Sequence, residues 1–345
     1  MTSAAAGSVR CRLATPGSRP AGVGVIDLLA DDAPALDRAL AAIGIGDDRA
    51  VPVGTVRLRE LGGVDRGLCA RLTPTHAQLM PHAGAAILRA LLAALEGAGC
   101  LPWRGGDEAL AYPEAADVYE ARALAAIARA ASPLAVDRLL DEPRRWRDAV
   151  AHAGDEHRVR TDEGRDARLQ RLIDMPTVAV VGLANIGKST LLNALAGRAV
   201  AGVADEAGTT RDHVGAVLDL GGLVVRWLDT PGVRADAGAI ESAAWSIARP
   251  LVEGADLLLL AGDASVEPPG WVVRPGQAVL RVALRADLGR APWSHDVGVS
   301  AIRPVHEPSS GLGGLIEAVR ERLLPSEDLR HPSPWRFWAP PGGRA

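Results

Sequence analysis

Of the 38 basic side chains in this 345-residue sequence, 37 are arginine and one is lysine, Lys188. That lysine stands in Gly182-Leu183-Ala184-Asn185-Ile186-Gly187-Lys188-Ser189, a complete G-x-x-x-x-G-K-S loop. A slim ammonium on a flexible stem can thread such a loop to the β- and γ-phosphates of a nucleotide, where arginine's broad fork cannot. Asn185, Ile186, Gly187, Lys188, Ser189 and Thr190 are therefore the expected phosphate-binding residues, with the Ser189 hydroxyl a direct ligand of Mg2+. Downstream, Gly208-Thr209-Thr210-Arg211-Asp212 offers a threonine hydroxyl, that of Thr210, to complete the Mg2+ shell and sense the γ-phosphate; Thr209 lies beside it. Asp229-Thr230-Pro231-Gly232 then brings a carboxylate for a magnesium-bound water and a glycine amide near the γ-phosphate. Each short string is common by itself. In this order they specify a nucleoside triphosphate site.

The base is read from Leu284-Arg285-Ala286-Asp287 and Val299-Ser300-Ala301. GTPases end the corresponding strand with N-K-x-D. Asp287 can accept from the guanine N1–H and exocyclic amine, which disfavours adenine and an ATPase. Arg285 can lay its stem and guanidinium over the base face. Leu284 replaces the asparagine, a loss of about 1–2 kcal/mol for a buried hydrogen bond. Ser300 and Ala301 resemble the S-A-K element whose backbone amide meets guanine O6. The reading is guanine, in weakened form.

The elements that must hold these groups are visible on both sides of the loop. Thr177–Val181 reads as a buried strand and Ser189–Ala196 as a helix ending at Gly197, so the loop is a backbone-amide cradle at a helix N-terminus. Further strands are expected at 217–220, 223–228, 256–261, 279–283 and 297–299, alternating with helical runs that include Leu315–Leu324. The expected fold is α/β: a doubly wound, mainly parallel P-loop sheet over 175–325. Before it, residues 1–112 read as a small α+β domain with a helix over Ala83–Glu96, and 113–174 as a helical segment. That segment contains Val118–Arg129, Pro133–Leu140 and a charged connector, Asp155–Arg171, expected to be solvated. Residues 326–345, with four prolines from Pro332 onward, read as an irregular tail.

A formal charge of -4 gives no global case for nucleic-acid binding. Arg144-Arg145-Trp146-Arg147 is the one local candidate for RNA, with a solvated helix face as the plainer reading. Cys11, Cys69 and Cys100 suit neither a disulfide framework nor a zinc site and fit a reducing compartment. No apolar run approaches the roughly 20 residues needed to span a bilayer, and no signal peptide is apparent. A cytoplasmic protein without membrane contact is expected.

Taken together, these residues resemble the Era, EngA and TrmE group of GTPases, in particular the MnmE (TrmE) family of tRNA-modification GTPases. Gly208–Asp212 matches that family's G-T-T-R-D string in full. Ala14-Thr15-Pro16 with Gly22-Val23-Gly24-Val25-Ile26 is similar to its N-terminal A-T-P…G-G-x-G-I-I segment, and Pro81-His82-Ala83-Gly84 to its C-H-G-G element. Glu120-Ala121-Arg122-Ala123-Leu124 is similar to the entry of its helical domain. The resemblance covers roughly 10–325 and implies GTP hydrolysis to GDP. Val233 stands where Ras-like proteins carry a water-orienting glutamine. The family uses K+ instead, which implies Asn185 as K+ ligand, with the backbone before Thr209 completing the cage. By ungapped count from Asp229, Glu241 falls on the family's catalytic glutamate; an ordinary helix N-terminal glutamate is the other reading. A homodimer, tRNA and an MnmG-like oxidoreductase are the partners the family implies.

Departures from the family set a second expectation beside the first. Asp27 stands where the family has a basic residue serving tetrahydrofolate, so a folate carboxylate should be repelled there. His82 reads as a structural or surface histidine rather than a catalytic one. No cysteine follows Cys100, where the family carries a C-terminal cysteine motif for wobble-uridine chemistry. The alternative is a diverged paralogue acting as a nucleotide-gated scaffold, with little hydrolysis and no tRNA modification.

Overall fold

The computed structural model describes residues 7–15, 22–103, 112, 115–197, 214–232, 248–270, 273–302 and 310–338. Thr209, Thr210, Val233 and Glu241 lie outside them. The chain divides into two compact units, Met1–Arg129 and Ala130–Ala345. The helical segment expected as a division of its own is thereby split: the helix Val118–Arg129 falls in the first unit, and everything from Ala130 onward belongs with the nucleotide-binding fold.

The first unit is built on a six-stranded sheet in the order β3-β4-β5-β2-β1-β6. The strands are β1 (Val9–Leu13), β2 (Ile26–Ala30), β3 (Thr55–Leu61), β4 (Asp65–Thr73), β5 (His76–Met80) and β6 (Leu101–Pro102). All pair antiparallel except β1 with β6. Ile26, Leu28 and Leu79 from the sheet pack with Leu36 of the helix Ala33–Ala42 and with Leu91 and Leu95 of the helix Ala85–Gly97. Asp32 caps the first helix by accepting from Ala35 N at 2.7 Å, and Pro34 in its first turn needs no donor there. All three cysteines are buried as free thiols in this core.

Asp27 differs from expectation. It is buried inside β2, where Arg12 Nε and Gln78 Nε2 both donate to it at 3.0 Å and His76 Nε2 lies at 3.3 Å. Burial alone would raise its carboxyl, but the hydrogen bonds from His76 and Gln78 and the Arg12 charge outweigh this and lower it. A carboxylate neutralised in this way does not project negative charge at a ligand, so the expected repulsion of folate has no structural basis. His82 is exposed and hydrogen-bonded through Nδ1 to Asp65 at 3.0 Å.

The second unit holds a six-stranded sheet in the order β12-β11-β10-β7-β9-β8. These are β7 (Thr177–Gly182), β8 (Val214–Leu220), β9 (Leu223–Asp229), β10 (Leu257–Gly262), β11 (Val279–Ala283) and β12 (Val297–Gly298). β7 runs parallel to both β10 and β9, and only the β8–β9 hairpin is antiparallel. β7 and β10 are apolar almost throughout, as strands covered on both faces must be. Among the described residues no helix is long and apolar enough to cross a membrane.

The segments expected to be solvated or irregular are folded into this unit. The helix Glu163–Gln170 buries Arg165, Asp166 and Leu169. A short helix covers Ser326–Arg330, and the chain then runs irregularly but buried: Trp335 and Phe337 are 0% and 1% exposed. Trp335 N donates to Glu142 Oε2 at 2.8 Å, and Trp146 Nε1 donates back to Trp335 O at 2.9 Å. Arg138 Nη2 and Arg165 Nη2 donate to the carbonyls of Ser333 and Pro334 at 3.0 and 2.6 Å. Trp146 is therefore a core anchor of the helix Leu134–Ala153 rather than an RNA contact. Its neighbours Arg144 and Arg145 are engaged with Asp141.

Replacing Trp335 with Ala should cost about 3–5 kcal/mol of unfolding free energy, read from urea denaturation, whereas Leu140→Ala on an exposed face should cost within about 0.5 kcal/mol. Equal costs would mean that the last segment does not hold the helices together. Burial also pushes the Glu142 carboxyl up to about 7 against the pull of Arg138. The folded state thus holds this proton more tightly than the unfolded chain, and stability contributed by Glu142 should fall as pH rises from about 4.5 to about 7. Glu142→Gln should flatten that slope.

Candidate functional site: the phosphate loop and base pocket

β7 is the central support of the site. Its last residue, Gly182, is packed so tightly that a Cβ there would sit 2.4 Å from Ala261 O and 2.5 Å from Ile186 Cδ1. The loop then turns through Asn185 (φ 63°) and Gly187 (φ 106°) before the helix Lys188–Ala196 begins. No Cβ-bearing residue enters Gly187's conformation without strain, so the motif glycine is a backbone requirement. Ile186 is buried beneath the loop, while Asn185, Ser189 and Thr190 are exposed above it. Lys188 Nζ donates to the carbonyls of Leu183 at 2.9 Å and Gly182 at 3.1 Å. Burial lowers its pKa, partly offset by Asp229.

Beside the loop, β9 ends in Asp229. Its Oδ2 accepts from Ser189 Oγ at 2.7 Å, and its Oδ1 is buried with no hydrogen-bond partner among the described residues. A hydroxyl next to a carboxylate with an orphaned oxygen is an all-oxygen donor set suited to Mg2+. Thr230, within the same string, is buried, and its hydroxyl donates to Val180 O at 2.6 Å. That bond ties the end of β9 to β7. Pro231 and Gly232 follow, and a Cβ on Gly232 would fall 2.4 Å from Ala184 Cα. The D-x-P-G turn therefore lies against the phosphate loop.

The base side forms a cavity of about 260 Å3 lined by Ile186, Thr190, Leu284, Arg285, Asp287 and Ala301, with Leu288 and Ile302 at its rim. Asp287 Oδ1 accepts from Ser300 Oγ at 2.6 Å, which orients the carboxylate. Ser300 is buried and acts through Asp287, while Ala301 lines the cavity itself. Arg285 lines the cavity, with its guanidinium donating to the Asn185 carbonyl and lying 3.3 Å from Asp263 Oδ2. Asp263 was missed in the sequence. Its signal was there, an Asp-x-Ser turn directly after the apolar strand β10. Leu288 and Ile302, each 75% exposed, were missed as well.

This loop, sheet and cavity define a P-loop GTPase G domain. A family model described as 50S ribosome-binding GTPase matches residues 177–276. The tRNA modification GTPase MnmE of Acidiphilium cryptum is 42% identical over 163 residues, covering 46% of this chain and 36% of that protein. The MnmE of Methylorubrum populi is 32% identical over 283 residues, covering 81% of this chain and 57% of its own length. An Era variant from Aquifex aeolicus bound to GDP and AlF4- is similar over 43% of this chain and 56% of its own, at 26% identity and a TM-score of 0.32. The G domain is one of the MnmE family. The chain spans between about a third and three fifths of the length of the MnmE proteins just named.

Gly232→Ala should displace either the D-x-P-G turn or the phosphate loop, since neither Ala184 backbone atom can yield. Titration with GDP and Mg2+ should show at least about tenfold weaker binding, the scale of one charge-assisted hydrogen bond lost. Unchanged affinity would separate the two segments functionally.

Proposed function

We propose that this chain binds GTP with Mg2+ and hydrolyses it to GDP and phosphate in the manner of the MnmE family. The observation that carries the reading is the pairing of Ser189 with Asp229 beside a complete phosphate loop, with one Asp229 oxygen left for a metal-bound water. Lys188 and the loop amides hold the phosphates and neutralise their charge. Asp287, fixed by Ser300, selects guanine through its N1–H and amino group, and the amide of Ala301, which lines the same cavity, serves O6. Ser189 and Thr210 would hold Mg2+, which would supply positive charge against that developing on the γ-phosphate.

Two finer parts of the reading come from the family resemblance. Asn185 is exposed on the loop, where its side chain can serve K+. Glu241 orients the attacking water in place of the missing glutamine. A homodimer is supported by an apolar face on the first unit: Leu58 and Leu68 stand opposite each other across β3 and β4, with Val56 alongside, all exposed. tRNA and an MnmG-like oxidoreductase remain the partners to test. Trp146 itself is buried and offers no surface to RNA.

The experiment is phosphate release from GTP and from ATP, each in potassium and in sodium. GTP alone should be hydrolysed, faster in potassium, and Glu241→Ala should lose about 10²–10⁴-fold in rate, the range for a group that positions or deprotonates water. GDP binding without turnover in either salt would favour the nucleotide-gated scaffold.

A further inference from the structure

Among the described residues, two non-glycine positions adopt a left-handed backbone: Asn185 at φ 63° and Arg285 at φ 54°. One lies in the phosphate loop and the other in the base loop, and they are bonded to each other, Arg285 Nη2 donating to the Asn185 carbonyl. Strained backbone of this kind persists only where its surroundings over-determine it, and it gathers at ligand clamps. The second arm of the Arg285 fork, Nη1, lies 3.3 Å from Asp263 Oδ2.

Asp263 is a fixed anion. It is 6% exposed, and its Oδ1 accepts from Ser265 Oγ at 2.6 Å, Ser265 N at 2.9 Å and Val266 N at 3.1 Å. Its carbonyl accepts from Trp293 Nε1 at 2.9 Å. The carboxylate therefore cannot follow the guanidinium if Arg285 moves. The guanidinium has to come to it, and its planar fork reaches the carboxylate and the carbonyl through separate nitrogens.

We propose that Asp263 and Arg285 are a pair of positioning residues: Asp263 anchors Arg285, which holds the phosphate loop in its left-handed turn at Asn185. The pair thereby couples the base pocket to the phosphate loop. This rests on the GTP-site reading for its consequence, since the turn it fixes is the one that aims the loop amides and the Asn185 side chain at the nucleotide. Leu284, buried at the head of the same loop, has no polar group with which to make the link.

The test uses the full chain in two arms. In the first, amide hydrogen exchange is followed in nucleotide-free protein for the peptide spanning residues 183–189, with β11 as internal reference. Arg285→Met and Asp263→Asn should each speed exchange in that peptide by about tenfold, and the double variant should do no more than either alone, as for two members of one network. β11 exchange and the melting temperature should stay as in the wild type. In the second arm, GDP with Mg2+ should bind about tenfold more weakly to each variant, with Arg285→Lys in between, because an ammonium keeps the charge but lacks the two set-apart nitrogens of the fork. Arg285 is 45% exposed, so its substitution carries the test even if Asp263→Asn fails to fold. Unchanged exchange in 183–189, or additive effects in the double variant, would overturn the proposal. Faster exchange in a protein that binds no GDP would uphold the latch and sink the GTP reading instead.

Discussion

The site depends on one electrostatic arrangement: the carbonyls at the start of the phosphate loop are held by cations belonging to the protein. Lys188 takes those of Gly182 and Leu183, and Arg285 takes that of Asn185. A loop that binds phosphate through its amides must turn its carbonyls away, and carbonyls turned inward need donors. Glycine at 182, 187 and 232 then serves the same purpose by different means. Gly187 supplies the turn, while Gly182 and Gly232 let β10 and the D-x-P-G segment press against the loop. The lone lysine thus secures the opening of the loop through the carbonyls of Gly182 and Leu183.

The parallel sheet supplies the rigidity this requires. β7 is buried between β10 and β9, and the site residues leave from the ends of these strands: the phosphate loop from β7, Asp229 from β9, Asp263 from β10 and Arg285 from just beyond β11. Ligand sites of doubly wound sheets sit at the carboxyl ends of the strands for this reason. The Thr230 bond to Val180 ties two of those ends together across the sheet. Precision at the site is therefore inherited from apolar strands that bring only their last residues to it.

The sequence made the phosphate loop and its strand and helix legible because they combine fixed glycine spacing with a change of hydrophobic period from strand to helix. The strands expected at 279–283 and 223–228 were equally clear, the second running one residue further, to Asp229. The last segment was not: prolines and missing periodicity at 331–338 read as a loose tail. Its order comes instead from side chains distant in sequence, Glu142, Trp146 and Arg165, meeting its backbone. Arg165 and Asp166 misled in the same way, since charged residues paired in a core look like charged residues in water. Asp27 is the third such case, a charge whose meaning depends on Arg12, His76 and Gln78 across the sheet.

Leucine at 284 and arginine at 285 are best understood as one change rather than two. An asparagine at the head of the base loop would bring its own hydrogen bonds to the pocket. Leucine brings none, and its side chain is buried as part of the wall. Polar contact between base loop and phosphate loop then falls to the next residue. A guanidinium meets that need through two set-apart nitrogens, one on the Asn185 carbonyl and one toward the Asp263 carboxylate. The cost is a left-handed backbone at a β-carbon-bearing residue, which the two-sided bond can sustain. In a chain that has replaced lysine by arginine everywhere except position 188, the two positions show opposite solutions to the same problem. Position 188 needs a charge that can leave the carbonyls for a ligand, and position 285 needs one that stays.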